Sequence, residues 1–260
     1  MVKDTVSLNQ DKPMKFDAVI CDIDGCLGPE STEPMDLDGL RQIRDWNQHA
    51  IEKRDRPIVT LCSGRPLPFA EAMCRIIGNS ELPAICENGV WLFDPKSNEF
   101  LRDPAILPQH VHAVHEAQEW IERVFYPQGV VFQPGKSASI SLWHTNTDFL
   151  RTLVPQLVEK FQAERWPFRV SMTVAWINCD LEFISKSSGL RRFIDRTGLA
   201  HSRLLGIGDS ASDLAMRDYC SAFAGPLNAA PEVKNVADFI AKTSEIHGVI
   251  EILGQMCRSN

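Results

Sequence analysis

The chain has 260 residues, of which 44% are hydrophobic and 23% are charged, and its formal net charge is −7. This composition is typical of a folded globular protein with one or two domains, and it argues against long disordered stretches. The acidic balance lacks the basic field on which nucleic-acid binding depends, so neither DNA nor RNA is an expected partner.

The amino-terminal 15 residues are polar and contain no apolar segment of the kind that directs secretion, and no later stretch is apolar for long enough to span a bilayer. The eight cysteines form neither a CxxC pair nor a zinc-type spacing, and several lie in apolar runs. Reduced, buried thiols are therefore expected. These observations predict a cytoplasmic protein that does not bind membranes.

Short apolar runs alternate with helical patterns in the first third of the chain. Residues 17–21, 57–62 and 84–86 are predicted strands, and residues 37–51 and 69–77 are predicted helices. Such alternation is typical of βαβ units, in which the strands form a parallel sheet.

The middle of the chain has a different pattern. A predicted helix over 111–125 precedes a predicted hairpin over 131–143, and a helix over 150–161 precedes strands over 168–174 and 181–184. Helix, two strands, helix, two strands is an antiparallel α+β arrangement. It differs enough from its flanks to predict a separate inserted domain.

After residue 186 the parallel pattern returns, with a predicted helix over 190–194, strands over 203–207 and 221–224, and a last helix over 248–256. The sequence therefore predicts an α/β fold, a Rossmann-like parallel sheet interrupted by an α+β insertion built from two α-β-β units. The predicted divisions are an N-terminal tail over 1–14, a core over 15–90 and 184–260, and an inserted domain over 91–183.

Two carboxylates follow the first predicted strand, in the segment Asp22-Ile23-Asp24-Gly25. Alternation along an extended chain sends Asp22 and Asp24 to the same side, and ligands of open parallel sheets bind beyond the carboxyl ends of the strands. Two close carboxylates repel each other and favour a cation, and magnesium prefers oxygen ligands. A solvated acidic turn would also explain this segment taken alone.

Three further segments follow the same logic. Ser63-Gly64-Arg65 comes after the second strand and could hold a phosphate, whereas Gly208 to Asp213 comes after a later strand and supplies Asp209 and a second carboxylate. Lys186 marks the end of the inserted unit. Each segment alone could be an ordinary turn, a helix cap or a solvated charge.

Taken together and in this order, the segments resemble the haloacid dehalogenase (HAD) superfamily, and specifically its Cof-like members with a type IIB α/β cap. The resemblance implies that Asp22 is a nucleophile that forms an aspartyl-phosphate and that Asp24 is the general acid. It also implies that Ser63, with Gly64, and Lys186 bind the phosphate. The inserted domain over 91–183 would be the cap.

The resemblance also implies a magnesium ion held by Asp22, Asp209 and the backbone carbonyl of Asp24. Asp213 and Ser212 would lie next to these ligands without binding the ion themselves. Arg65 and Asn88 follow core strands and are predicted to bind substrate. Members of the family usually carry Thr at the position of Cys26, and many Cof-like members carry Asn at the position of Ser212.

The sequence favours a magnesium-dependent phosphatase that acts on a small phosphorylated metabolite such as a sugar phosphate. Two alternatives stay open, namely a phosphotransferase similar to phosphomannomutases and a weakly catalytic protein that binds a metabolite. Dehalogenases of the superfamily lack the second acid of the first motif, which is Asp24 here. Neither the physiological substrate nor the oligomeric state can be read from the sequence.

Overall fold

The structure is a computed structural model that describes residues 14–30, 32–173 and 175–257. The tail predicted over 1–14 lies outside the described residues except for Met14, and so does residue 174, the last of the strand predicted over 168–174. In the described part of the chain, no helix is both long and apolar enough to cross a membrane.

The described residues form twelve strands and seven α-helices. The strands are β1 (Ala18–Cys21), β2 (Ile58–Leu61), β3 (Ala84–Cys86), β4 (Trp91–Asp94), β5 (Glu99–Arg102), β6 (Val131–Phe132), β7 (Ser139–Trp143), β8 (Phe168–Met172), β9 (Trp176–Leu181), β10 (Leu204–Ile207), β11 (Ala222–Gly225) and β12 (Phe239–Ile240). The helices are α1 (Leu37–Lys53), α2 (Leu67–Ile76), α3 (Pro108–Phe125), α4 (Thr147–Glu164), α5 (Lys186–Thr197), α6 (Pro231–Lys234) and α7 (Glu245–Met256).

Five parallel strands form the core sheet, in the order β12-β11-β10-β1-β2. Both faces of β1, which lies between β10 and β2, are buried, and Val19 packs in a cluster that includes Leu40 of α1 and Val249 of α7. On the opposite face, Ile20 belongs to a cluster with Phe193 of α5. Helices on both faces of a parallel sheet explain the continuous apolar strands and confirm the predicted α/β fold.

A second, three-stranded sheet in the order β3-β4-β5 was not predicted. A parallel bridge between Cys62 and Ile85 places β3 beside the end of β2. Leu92 and Phe93 of β4 are buried in the two clusters that flank the core sheet. The division at residue 91 stays a prediction, and the packing of β4 favours a start of the cap after this hairpin.

The cap sheet consists of β6, β7, β9 and β8, in that order and all antiparallel, and it packs with α3 and α4 around its own apolar cluster. The hairpin predicted over 131–143 is present as β6 and β7. The strand predicted over 181–184 is wrong, because β9 ends at Leu181. In β9, polar Asn178 and Asp180 alternate with buried Ile177 and Cys179, which hid the strand from a search for apolar runs.

Candidate active site

A cavity of about 800 Å³ lies where the core strands end and the cap sheet faces them. Its core side comes from the turns after β1, β2 and β10, together with the start of α5. Most predicted site residues line it: Asp22, Asp24, Ser63, Gly64, Arg65, Asn88, Lys186, Asp209 and Ser212. Asp213 does not line the cavity but is fully buried behind it.

Lys186 joins two carboxylates at the floor of the cavity. It is the first residue of α5, which the side chain of Ser185 caps by accepting a hydrogen bond from the Ser188 backbone. The buried Lys186 Nζ donates to Asp22 Oδ2 at 2.9 Å and to Asp213 Oδ1 at 2.5 Å. The helix start therefore fixes an ammonium group beside the predicted nucleophile.

Asp213 organises the turn after β10. Its Oδ2 accepts hydrogen bonds from the backbone amides of Asp209 and Ser210 and from the Ser210 hydroxyl, at 2.9 to 3.2 Å. A side chain at Gly208 would approach the Asp213 Cβ to 2.2 Å, so the turn leaves room only for glycine there. Both oxygens of Asp213 are occupied, one by Lys186 and the other by the turn residues. Asp213 therefore fixes the positions of Lys186 and of the turn after β10.

Asp209 presents a free acceptor. Its Oδ1 is buried and has no hydrogen-bond partner within the described residues. Its carboxylate rests directly on Gly25, where a Cβ would lie 2.1 Å from Oδ2 and where φ is +74°. The first and last motifs thus meet at a contact that a larger residue at position 25 would prevent.

Burial and mutual repulsion raise the carboxyl pKa values in this cluster. Burial, with repulsion from Asp213, raises the pKa of Asp22 to about 7, although Lys186 opposes the change. Burial, with repulsion from Asp213 and Asp22, raises the pKa of Asp209 to about 8. Burial alone would lower the pKa of Lys186, but Asp213 and Asp22 raise it well above its ordinary value. The one ammonium of Lys186 does not balance the negative charge of the three carboxylates.

The cluster fits a hard divalent cation. One oxygen from each of Asp22, Asp209 and Asp213 lies within 4.8 Å of the others, and all the donors are carboxylate oxygens, which magnesium prefers. Three carboxylates face one ammonium, so a cation would balance them. The unpartnered Oδ1 of Asp209 is the kind of buried acceptor that a metal satisfies. The Asp24 carboxylate does not belong to this group.

Arg65 and Asp24 form an ion pair across the cavity edge. The Arg65 Nε donates to Asp24 Oδ1 at 3.0 Å and to Oδ2 at 2.8 Å, and Nη2 contacts Oδ1 as well. Both side chains are partly exposed to the cavity. Two predicted roles, those of general acid and of substrate-binding residue, therefore fall on side chains that contact each other.

Ser63 and Asn88 lie beside this pair. The Ser63 hydroxyl accepts a hydrogen bond from the Arg65 amide at 3.3 Å, and Ser63 is fully buried. The Asn88 side chain donates to Asp180 Oδ2 in β9 at 3.2 Å, so it links the core to the cap sheet. Both residues line the cavity.

The cap-sheet wall contains residues that the sequence did not predict as functional. They are Gln133, Lys136, Arg169, Ser171, Met172, Thr173, Asn178 and Asp180. Trp176 also lines the cavity. The sequence signal was weak, because alternating polar residues in a strand usually mark a solvated face. Glu30, on the core side, was also missed.

Comparison with known proteins agrees with this geometry. Residues 177–253 match the family model of haloacid dehalogenase-like hydrolases. A HAD/COF-like hydrolase of Plasmodium vivax superposes with a TM-score of 0.69 at 15% identity, over 93% of this chain and 98% of that one. The chain is similar to the haloacid dehalogenase-like hydrolases in sequence over residues 177–253 and in fold over most of its length. The predicted family and its Cof-like architecture are thus confirmed.

Two relatives of this hydrolase carry a more specific name. A phosphoglycolate phosphatase of Methanosarcina acetivorans is 26% identical over 251 residues, which is 92% of this chain and 96% of that enzyme. A phosphoglycolate phosphatase of Methanothrix thermoacetophila is 38% identical over 73 residues, which is 28% of this chain and 33% of that enzyme. The predicted enzyme class, a HAD-type phosphatase, is confirmed.

Proposed function

We propose that this HAD hydrolase takes phosphate from a small phosphate monoester through an aspartyl-phosphate at Asp22. The observation that supports this most strongly is the arrangement around Asp22. One of its oxygens accepts from Lys186 and the other from the backbone amide of Ile23, at 2.9 and 2.7 Å. A carboxylate fixed at both oxygens and open to a cavity is suited to nucleophilic attack.

In the proposed first step, a new bond forms between an Asp22 oxygen and phosphorus while the bond from phosphorus to the ester oxygen breaks. Lys186 and Ser63 bind phosphate oxygens as charge moves between them. Protonated Asp24 donates its proton to the departing alcohol. In the second step, water attacks phosphorus, Asp24 accepts a proton from that water, and Asp22 is released.

Bound magnesium would supply positive charge that offsets the repulsion between the phosphate and the carboxylates. Asp22 and Asp209 would hold it through their side chains, and Asp24 through its backbone carbonyl. Asp213 would keep Lys186 and the turn after β10 in place.

For the substrate, we propose a small phosphorylated acid of the phosphoglycolate type. The phosphoglycolate phosphatase of Methanosarcina acetivorans, which matches over nearly its full length, supports this class. The cavity volume of about 800 Å³ and the cap sheet above it also suit a small metabolite better than a folded phosphoprotein or a nucleic acid.

Release of inorganic phosphate from phosphoglycolate, with and without magnesium, tests this function. We expect steady multiple-turnover release that stops when magnesium is chelated, and no turnover by Asp22→Asn, which is nearly isosteric but lacks the attacking charge. A phosphotransferase would instead release little free phosphate and would transfer the phosphoryl group to an added acceptor alcohol as a new phosphate monoester. A metabolite-binding protein would release none, and either result would refute the proposal.

A further inference from the structure

Lys136 is a cation of the cavity wall that has no ion-pair partner among the described residues. It lies in the turn between β6 and β7, is partly buried and lines the cavity. Its ammonium donates to the hydroxyl of Ser141. In the described part of the chain, none of the carboxylates that line the cavity lies within 4.0 Å of it. An ammonium has three donors, so it retains the capacity to bind an anion.

The other cations of the cavity are already engaged. Lys186 pairs with Asp22 and Arg65 pairs with Asp24. Arg169 donates to the backbone carbonyls of residues 182 and 184. Lys136 is therefore the available cation among the described residues that line the cavity.

The charge of the cap-sheet wall suits one anionic group. Lys136 and Arg169 are its cations and Asp180 is its carboxylate, so the wall carries a net charge of +1. Arg169 lies 3.8 Å from Asp180 and partly offsets it. This wall faces the floor that contains Asp22, so a substrate with phosphate on the floor presents its other end here.

A buried carboxylate from the core fixes the loop that carries Lys136. Glu87, fully buried after β3, accepts hydrogen bonds from the backbone amides of Ser137 and Ala138 and from the hydroxyls of Ser137 and Ser139, at 2.8 to 3.0 Å. These four bonds join the core to the residues directly after Lys136. They determine where its ammonium group lies over the cavity.

We propose that Lys136 is the specificity residue that binds the carboxylate of the phosphorylated substrate, and that Glu87 is the positioning residue that holds its loop. The inference rests on the proposed function, because it needs a substrate with phosphate at one end and a carboxylate at the other. Burial lowers the pKa of Lys136, and the negative charges of Asp180 and Glu87 oppose that change. A substrate carboxylate would favour the charged ammonium in the same way.

The test compares two esters with the same two-carbon skeleton, phosphoglycolate and 2-hydroxyethyl phosphate, which has a hydroxymethyl group in place of the carboxylate. The quantity measured is the ratio of their kcat/KM values. A charge-assisted hydrogen bond to a carboxylate corresponds to roughly a 10- to 100-fold preference. Lys136→Met should reduce the ratio of kcat/KM for phosphoglycolate to kcat/KM for 2-hydroxyethyl phosphate by about that factor, mainly by raising KM for phosphoglycolate. Lys136→Arg, which keeps the positive charge, should retain part of the preference.

The matched control is Lys160→Met, because Lys160 lies on α4 of the cap, pairs with Glu164 and does not line the cavity. Its ratio should equal that of the wild type. If the wild type prefers phosphoglycolate and Lys136→Met keeps the preference, the assignment of Lys136 is wrong while the proposed substrate class stands. If the wild type shows no preference, the proposed substrate class and the inference both fail.

The positioning role is tested with Glu87→Gln, and with Ser137→Ala, which removes one of the four donors and is the milder change. Both should raise KM for phosphoglycolate more than KM for 2-hydroxyethyl phosphate although Lys136 is intact. If KM rose equally for the two esters, Glu87 would only support the fold, and its positioning role would be overturned.

Discussion

The Arg65 guanidinium holds both carboxylate oxygens of Asp24, with Nε 3.0 Å from Oδ1 and 2.8 Å from Oδ2. A carboxylate in this pair is fully engaged on one side. Arg65 therefore has to turn toward another anion when substrate arrives, so that Asp24 can reach the departing alcohol. A phosphate group is the anion that could draw it away.

Arg65→Ala should therefore weaken substrate binding more than the chemical step. We expect KM for phosphate esters to rise roughly 10- to 100-fold, the effect of losing about one charge-assisted bond, with little change in kcat. Steady-state kinetics would show this. The control is Arg75→Ala on α2, where the arginine is exposed and pairs with Glu71. Unchanged kinetics in Arg65→Ala would reject a role in binding.

Asp24→Asn should impair hydrolysis according to the leaving group. An alkyl alcohol needs a proton as it departs, whereas p-nitrophenolate leaves readily without one. We expect kcat to fall roughly 10²- to 10⁴-fold for an alkyl phosphate and clearly less for p-nitrophenyl phosphate, as comparison of the two esters would show. An equal loss on both would mean that Asp24 acts by another route, such as holding Arg65.

The metal-free protein should lose stability as the pH rises from about 5 to 8. The pKa values of Asp22 and Asp209 are raised to about 7 and about 8, so the folded state binds protons in this range that the unfolded chain has released. The stability that those protons provide is lost as the pH passes through the folded-state values. Thermal unfolding in a chelator at several pH values would measure it.

Asp209→Asn provides the matching variant, since it removes one of the two titrating groups. Its metal-free Tm should be higher than that of the wild type at pH 8 and should depend less on pH. Magnesium should raise the Tm of the wild type, more at pH 8 than at pH 6, and should do little for the variant. The exposed Asp45 is a control position, and a variant there should follow the wild type. A wild-type Tm that rises steadily with pH in the chelator would contradict this account.

Gly25→Ala should destabilise the protein and weaken its metal site. The new Cβ would meet Asp209 Oδ2 at 2.1 Å at a backbone position with φ of +74°. We expect the free energy of unfolding to fall by about 2 kcal/mol or more, as denaturant titration would show. Gly254→Ala on α7 has nothing within 4 Å of its Cβ and should gain about 0.5 to 1 kcal/mol. If both variants matched the wild type, the close contact between Gly25 and Asp209 would be wrong.

The core part of the site was largely predictable because most of its residues lie in turns that directly follow strands. Asp22, Ser63 and Asp209 come within one or two residues of an apolar run, and parallel strands bring such turns to one edge of the sheet. The position of a residue directly after a strand was therefore enough to predict that it would lie in the site. The β4–β5 hairpin was not predicted because β5 is mostly exposed and contains only two apolar residues.

The cap side of the site depends on contacts between distant residues. Glu87 and Ser139 are 52 positions apart, and Asn88 and Asp180 are 92 apart. No local periodicity shows that a turn lysine such as Lys136 will face a cavity and not solvent. Its direction depends on how the loop is anchored, and that anchor is a residue of the core.

All eight cysteines are buried and form no disulfide, so the reactivity of each thiol reports whether the structure around it has opened. Cys179 lies in β9 of the cap sheet. In the core, Cys21 ends β1 and Cys62 follows β2, and they directly precede the predicted nucleophile and the predicted phosphate-binding serine in the chain. A thiol reagent should therefore leave the native protein unlabelled, and the order in which these sulfurs become reactive would show whether the cap sheet opens before the core. Burial also separates these sulfurs from cellular oxidants, so loss of activity through cysteine oxidation would require that the chain first open.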